Sequence, residues 1–296
     1  MSRPAIGVEL GARRVHAVVL DLDAEGAVIA RATRRAADGS LARAAQTAVQ
    51  EIVKGARESR PAGICTHEAD DEATRAALDE LRALLGTTGD PVGTGAAAAV
   101  AEAWIGAARG MKTVVALIVG EQISAGILLD GTPWRGAHGM AGAAAWLALN
   151  PVERQDYRRT GCLDAEVSSH GVARRLTWRI QSGDHSDVLD RAGDLATITA
   201  DLVYEGARAG DGVAISVVRD TAKYIGMAVA NLVAIVDPEL VALCGDVSRA
   251  GDLLLDPVRQ ECSRRLPARL AAACRIEMSP LGEDAAAIGA ARLAQP

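Results

Sequence analysis

The chain has 296 residues, 49% hydrophobic and 24% charged, with a formal net charge of −6. That length exceeds one typical core and predicts two lobes, while the acidic balance excludes a general nucleic-acid or anionic-membrane surface. Phe is absent and aromatic residues make up only 2%, so Ala, Val and Leu must fill the core, which suits close helix–sheet packing.

Three short strands open the chain, over residues 5–10, 15–20 and 27–32, with Gly11 and Arg13-Arg14 in the first turn and residues 21–26 in the second. Leu41, Ala45, Ala48, Val49, Ile52 and Val53 then recur at helical spacing and predict a helix over 41–57. A strand follows at 63–66, a charged amphipathic helix at 71–85, a turn near residue 90 and a helix at 96–108.

The pattern then restarts, with strands at 114–119, 123–129 and 133–134, a Gly-containing turn first and Asp130-Gly131 second. Strand, glycine turn, strand, Asp/Gly turn, strand therefore occurs twice, which reads as a structural duplication with a ligand cleft between two lobes. The middle, 137–215, is the least regular stretch, with one helix predicted near 172–180. A helix over 212–236 carries Ile215, Val218, Ala222, Ile225, Val229 and Leu232 on one face. A strand at 240–244, a helix at 250–264, a strand at 275–278 and a closing helix at 285–294 complete the reading.

Five scattered cysteines (Cys65, Cys162, Cys244, Cys262 and Cys274) show no pairing rhythm and point to reduced thiols in the cytoplasm. The start runs straight into a strand without a signal-peptide pattern. The apolar run from Ile225 to Val236 is too short to span a bilayer, so no membrane partner is expected. Arg31, Arg34 and Arg35, and likewise Arg174 and Arg175, read as solvated faces.

Several segments resemble the ROK family (repressors, open reading frames and sugar kinases). They are Ala101-Glu102-Ala103-Trp104-Ile105-Gly106, Asp130-Gly131 with Trp134-Arg135-Gly136, Gly139-Met140-Ala141-Gly142, Gly161-Cys162-Leu163, Asn231-Leu232-Val233, Asp237-Pro238-Glu239, Val247-Ser248-Arg249-Ala250-Gly251 and Leu281-Gly282-Glu283-Asp284. The resemblance implies an α/β fold, the two-lobed actin-like ATPase (ribonuclease H-like) fold, with a duplicated three-strand start and an interlobe cleft. It implies an N-terminal lobe over 1–110, joined by the C-terminal helix of 281–296, and a C-terminal lobe over 111–280. A homodimer is expected from the same source.

The functional motifs are where the chain departs from the family. The first phosphate loop, Asp-x-Gly-Gly-Thr-Lys in the family, reads Glu9-Leu10-Gly11-Ala12-Arg13-Arg14, and the second, Gly-Thr-Gly-x-Gly-Gly-Gly, reads Gly120-Glu121-Gln122-Ile123-Ser124-Ala125-Gly126. The adenosine-side loop, Leu-Gly-Gly-Gly-Val-Ser, reads Leu243-Cys244-Gly245-Asp246-Val247-Ser248. Such loops work because small residues let backbone N–H groups reach phosphate oxygens. Gly11, Arg13, Gly120, Glu121 and Gly245 thus mark a former nucleotide site, and Arg13 and Glu121 are expected to pair across it. The catalytic base of Asn-Asp-Ala-Asn falls in Gly93-Thr94-Gly95-Ala96, on Thr94, where no carboxylate stands. The sugar-gripping Glu falls on Ala143 and a second sugar contact on Asp164, with Thr94, Glu102, His138, Ala143, Trp146 and Asp164 expected around a ligand cleft. His170 is a weaker candidate.

The family's zinc ligands fall on Trp146, Gln155, Tyr157 and Cys162, so no metal and no cofactor is expected. The three larger side chains are expected to pack together instead. A helix-turn-helix before the first phosphate motif is not expected either, since five residues precede Ile6. The reading is a sugar-kinase-like protein that has lost ATP-dependent kinase activity and binds or regulates through an unidentified small molecule. The alternatives are an active enzyme of altered chemistry or a divergent sugar kinase using the same cleft.

Overall fold

A computed structural model of the chain describes residues 4–36, 40–53, 61–67 and 71–295. Two five-stranded mixed sheets carry the fold, and the predicted duplication is plain in them. The first contains β1 (Pro4–Leu10), β2 (Arg14–Asp21), β3 (Ala27–Arg35), β4 (Ala62–Thr66) and β5 (Val92–Gly93), in the order β3-β2-β1-β4-β5. The second contains β6 (Val114–Val119), β7 (Ile123–Leu129), β8 (Thr132–Pro133), β9 (Leu240–Cys244) and β10 (Arg275–Met278), in the order β10-β9-β6-β7-β8. Read from the other edge, the second order repeats the first. The β2–β3 turn passes through Glu25 and Gly26, and the β7–β8 turn through Asp130 and Gly131, all four at positive φ. Asp130-Gly131 alone joins Leu129 to Thr132, a two-residue hairpin whose left-handed pair matches the right-handed twist of antiparallel strands, whereas Glu25-Gly26 closes a five-residue loop between Asp21 and Ala27.

The helices are α1 (Leu41–Val53), α2 (Glu72–Leu85), α3 (Thr94–Ile105), α4 (Gln155–Thr160), α5 (Cys162–Val167), α6 (Ser169–Gln181), α7 (Asp187–Ala192), α8 (Ala200–Arg208), α9 (Gly212–Val236), α10 (Gly251–Arg265), α11 (Ala268–Ala273) and α12 (Ala285–Leu293). The end of the predicted 41–57 helix lies outside the described residues. Ile215, expected on the buried face of α9, is exposed; Ala214, Val217 and Val218 take that face. The 137–215 stretch holds α4, α5, α7 and α8 besides the one helix predicted, because helices of six to nine residues are too short to print a periodic stripe. Their caps are legible in retrospect: Ser186 and Thr199 each accept a backbone N–H at the start of α7 and α8. Among the described residues no helix is long and apolar enough to cross a membrane.

The chain divides into two compact units, one of residues 1–116, 124–142 and 279–296 and the other of 117–123 and 143–278, so β6 and β7 each run from one into the other. In the first unit the sheet is covered on both faces. Ile6, Val8 and Leu10 of β1 pack with Val15, Ala17 and Val19 of β2 against α1 and α2. Alternate residues Ala5, Val18 and Leu20 face α3 and α12 through Ala101, Ala287, Ile288 and Ala291.

That second face is built from backbone contact. A Cβ on Gly7 would lie 1.8 Å from the Ala287 carbonyl oxygen, one on Gly63 1.9 Å from that of Ala290, and one on Gly289 1.7 Å from that of Ala97. The small side chains that dominate the sequence let these helices approach this closely, and Trp104 of α3 packs partly buried against the same cluster. The C-terminal helix is fastened at its start as well. Asp284 accepts from His16 at 2.7 Å and from Arg31 at 2.7 Å, and His16 reaches Thr33 at 2.7 Å. Burial alone would raise the Asp284 carboxyl, but the His16 and Arg31 contacts outweigh it and hold it below the ordinary range.

Gly289→Ala forces backbone to move and should cost about 3 kcal/mol by overpacking. Gly212→Ala, where nothing lies within 4 Å of the new methyl group, should be neutral. Urea unfolding midpoints of the two variants check the contrast.

Candidate functional site

In the second unit three chain segments converge on Gly120, the residue that follows β6. Ser169, the first residue of α6, donates its N–H to the Gly120 carbonyl at 2.8 Å. Ser168 caps that helix by accepting from the Gly171 N–H at 3.2 Å. From the end of β9 comes Gly245, at φ 87, where a Cβ would lie 2.9 Å from the Val119 oxygen. The next residue, Asp246, opens a 3₁₀ turn (Asp246–Ala250) and is only 9% exposed. Its carboxylate accepts from the Ser169 hydroxyl at 3.2 Å and lies 3.6 Å from Arg249. A Cβ on Gly120 would stand 3.2 Å from that same carboxylate oxygen. A phosphate loop needs N–H donors and open space at such a place; here a carboxylate fills it, with Glu121 half-buried one residue on.

Asp164 stands on α5 in the same unit. Burial pushes its carboxyl up to about 6, against the opposing pull of the Ile123 N–H, the Thr160 and Ser168 hydroxyls and the Arg174 charge. It is thus a carboxyl that exchanges its proton near neutral pH, able to donate or accept a hydrogen bond. Ala143 precedes and Trp146 ends a 3₁₀ turn (Ala144–Trp146), and both are exposed.

The residues at the family's zinc positions do not fit a metal. Trp146 is 51% exposed and Gln155 is exposed, whereas Tyr157 and Cys162 are buried together with Ala165 and Leu149. The expected packing of Trp146, Gln155 and Tyr157 on one another therefore does not occur; only Tyr157 turns inward, because its hydroxyl has a buried acceptor in Glu166. Among the described residues no group of three His, Cys, Asp or Glu side chains is arranged to hold an ion.

The sequence reading missed Glu166 and misplaced Arg174 and Arg175, whose side chains are 14% and 11% exposed, not solvated. A signal existed: Arg175 shares a helical stripe with buried Val172 and Leu176.

In the first unit, Gly11 donates its N–H to the Arg14 carbonyl at 2.8 Å, which makes the first loop a tight β1–β2 turn with Arg13 exposed on it. Thr94 is the first residue of α3, behind Gly93, which offers no side-chain cap. The Thr94 hydroxyl is buried without a hydrogen-bond partner among the described residues, and so is that of Ser124. Glu102 is fully buried. It accepts from the Ala107 N–H at 2.8 Å and from the Ser279 hydroxyl, so its carboxylate closes the end of α3 instead of lining a ligand site. His138 and, in the second unit, His170 are exposed.

Protonated Asp164 is the form the fold prefers. Its contribution to stability is complete below the ordinary aspartate range and is lost as pH rises through about 6. Asp164→Asn should therefore gain stability on the wild type from pH 5 to 8 and lose the gain below pH 4, as read from urea midpoints across that range.

A profile of the ROK family matches residues 92–296. The glucokinase of Halalkalibacterium halodurans is 34% identical over 194 residues, 65% of this chain and 59% of that protein. The matched stretch thus spans about three fifths of the length of the curated glucokinases it resembles. Among solved structures, a ROK family glucokinase from Streptomyces griseus, in complex with glucose and AMPPNP, superposes with a TM-score of 0.84 at 24% identity, covering 98% of each chain. A ROK family transcriptional regulator, homolog of the E. coli MLC protein, gives a TM-score of 0.79 at 21% identity, covering 99% of this chain and 78% of its own.

Proposed function

The chain belongs to the ROK family and has its two-lobed actin-like fold, and from that premise we propose that it is a sugar-kinase-like protein that has given up ATP-dependent phosphoryl transfer and acts by binding or regulation. One observation carries this reading: the buried Asp246 carboxylate against Gly120, where the family's loops meet phosphate. Like charges 4 Å apart at an effective dielectric of 20 repel by about 4 kcal/mol, an upper bound here because Arg249, 3.6 Å from Asp246, offsets part of it. Thr94 at the family's base position supports it further, since a positioned base contributes about 10²–10⁴-fold to such reactions.

The ligand is a small polar molecule. The unpartnered hydroxyls of Thr94 and Ser124 support binding, because a buried hydroxyl left unsatisfied costs about 1–3 kcal/mol and a ligand or water would relieve it. Relatives named as kinases and as repressors leave both outcomes open to the family. A homodimer in the cytoplasm, without structural zinc, belongs to the same proposal; five free cysteines, four of them buried, support a reducing compartment.

A second reading, an active enzyme of altered chemistry, is favoured by Asp164 alone, whose carboxyl at about 6 suits acid–base work near neutral pH. A coupled assay with ATP and glucose, mannose, N-acetylglucosamine or N-acetylmannosamine separates the two. Turnover should stay at least a hundredfold below the 1–100 s⁻¹ or so that is ordinary for kinases, and turnover of about 1 s⁻¹ with any of these sugars would overturn the proposal.

A further inference from the structure

The buried polar cluster around Glu166 has no counterpart in the motifs that carry the family resemblance, and it sits beside the residues at the zinc positions. Glu166, on α5, is 2% exposed. Tyr157 of α4 donates its hydroxyl to Glu166 Oε1, and Arg154 approaches the same oxygen at 3.2 Å from the segment before α4. Arg175 of α6 lies 3.9 Å from the other oxygen and donates to the Thr221 hydroxyl of α9. Asn150 donates to the Tyr157 hydroxyl at 3.2 Å and to that of Tyr224, also on α9, at 3.4 Å. Arg174 ties α6 back to α5 through the Ala165 carbonyl at 2.6 Å and to α4 through Asp156 at 2.5 Å.

We propose that this Glu166-centred network is the metal-free replacement for the family's zinc, fastening α4 and α5 to α6 and α9. A tetrahedral metal does its structural work by drawing donors from separate segments to one point. Here one carboxylate gathers the segment before α4, α4 itself and α6, and α9 is reached through Arg175 and Asn150. Tyr157 stands where a zinc thiolate would and now donates to an anion instead of supplying one. Burial and the Glu166 contact both raise its phenol well above the ordinary range, so it keeps its proton and its hydrogen bond at any ordinary pH. Burial likewise lowers Arg175, with Glu166 opposing that shift. A buried charge pair of this kind is costly to break from one side, because the survivor is left uncompensated. The network also holds the short helix that presents Asp164, two residues from Glu166.

The test is metal analysis together with thermal unfolding, using the full chain purified from zinc-supplemented cells. The expected result is less than about one zinc per ten chains, far from the full occupancy of a structural site, and a melting temperature that EDTA leaves unchanged. Glu166→Gln should lower that temperature by roughly 6–20 °C. If that variant does not fold, Tyr157→Phe, which removes only a hydroxyl, should still lower it by roughly 2–6 °C. Stoichiometric zinc, or a melting temperature that falls with EDTA, would overturn the inference. So would metal-free protein in which Tyr157→Phe and Glu166→Gln melt with the wild type, since something else would then hold the segment. Neither measurement reads phosphoryl transfer, so kinase activity would sink the proposed loss of phosphoryl transfer and leave this inference standing, while stoichiometric zinc would overturn this inference, and the zinc-free part of the proposal with it, and leave that loss untouched.

Discussion

Backbone meets backbone across this fold, and what the chain has kept and lost follows from those contacts. A Cβ on Gly126 would lie 1.8 Å from the Gly95 oxygen, and one on Gly142 1.8 Å from that of Ala125. Gly245, at φ 87, is pressed against Val119. No other residue fits at these points without moving main chain, so glycine stays whatever the protein does. The loop positions that resemble family glycines but carry Gln122, Ser124, Ala125, Cys244 and Asp246 bear no such constraint from packing. Glycines pressed against main chain persist at 126, 142 and 245, while positions 122, 124, 125, 244 and 246 carry other residues, which is the pattern that the proposed loss of nucleotide binding predicts.

The buried acids tell the same story from the side of charge. Glu102 is satisfied by the Ala107 N–H and the Ser279 hydroxyl, Glu166 by a tyrosine and two arginines, and Asp246 by Ser169 and Arg249. Each is a carboxyl whose partners belong to the fold. Asp164 is the exception: burial outweighs its partners and leaves it poised near neutrality.

Much of the architecture was legible in residue pattern. The twofold run of strand, turn and strand pointed to a duplication, and the two sheets with matching strand order accord with it. The long α9 and the Ala-rich α12 were visible from their apolar spacing. The 137–215 stretch was not, because short helices are fixed by caps and tertiary contacts more than by period. Arg174 and Arg175 misled for a related reason: composition marks paired arginines as surface, and only the fold brings Asp156 and the Ala165 carbonyl to Arg174 and the buried Glu166 to Arg175. Loop composition was easier to read: Glu121 and the non-glycine residues at 122, 124 and 125 marked the second phosphate loop in the sequence, but Asp246 against Gly120 became visible only in the structure.

Isothermal titration of the purified protein with Mg-ATP tests the central claim most directly, because it reads the occupied phosphate site without asking for chemistry. A closed site predicts no saturable heat up to millimolar nucleotide, a dissociation constant weaker than about 1 mM, or less than about 4 kcal/mol of binding. Saturable binding with a dissociation constant of about 10 μM or tighter, near 7 kcal/mol, would mean that phosphate still enters beside Gly120 and that Asp246 does not exclude it.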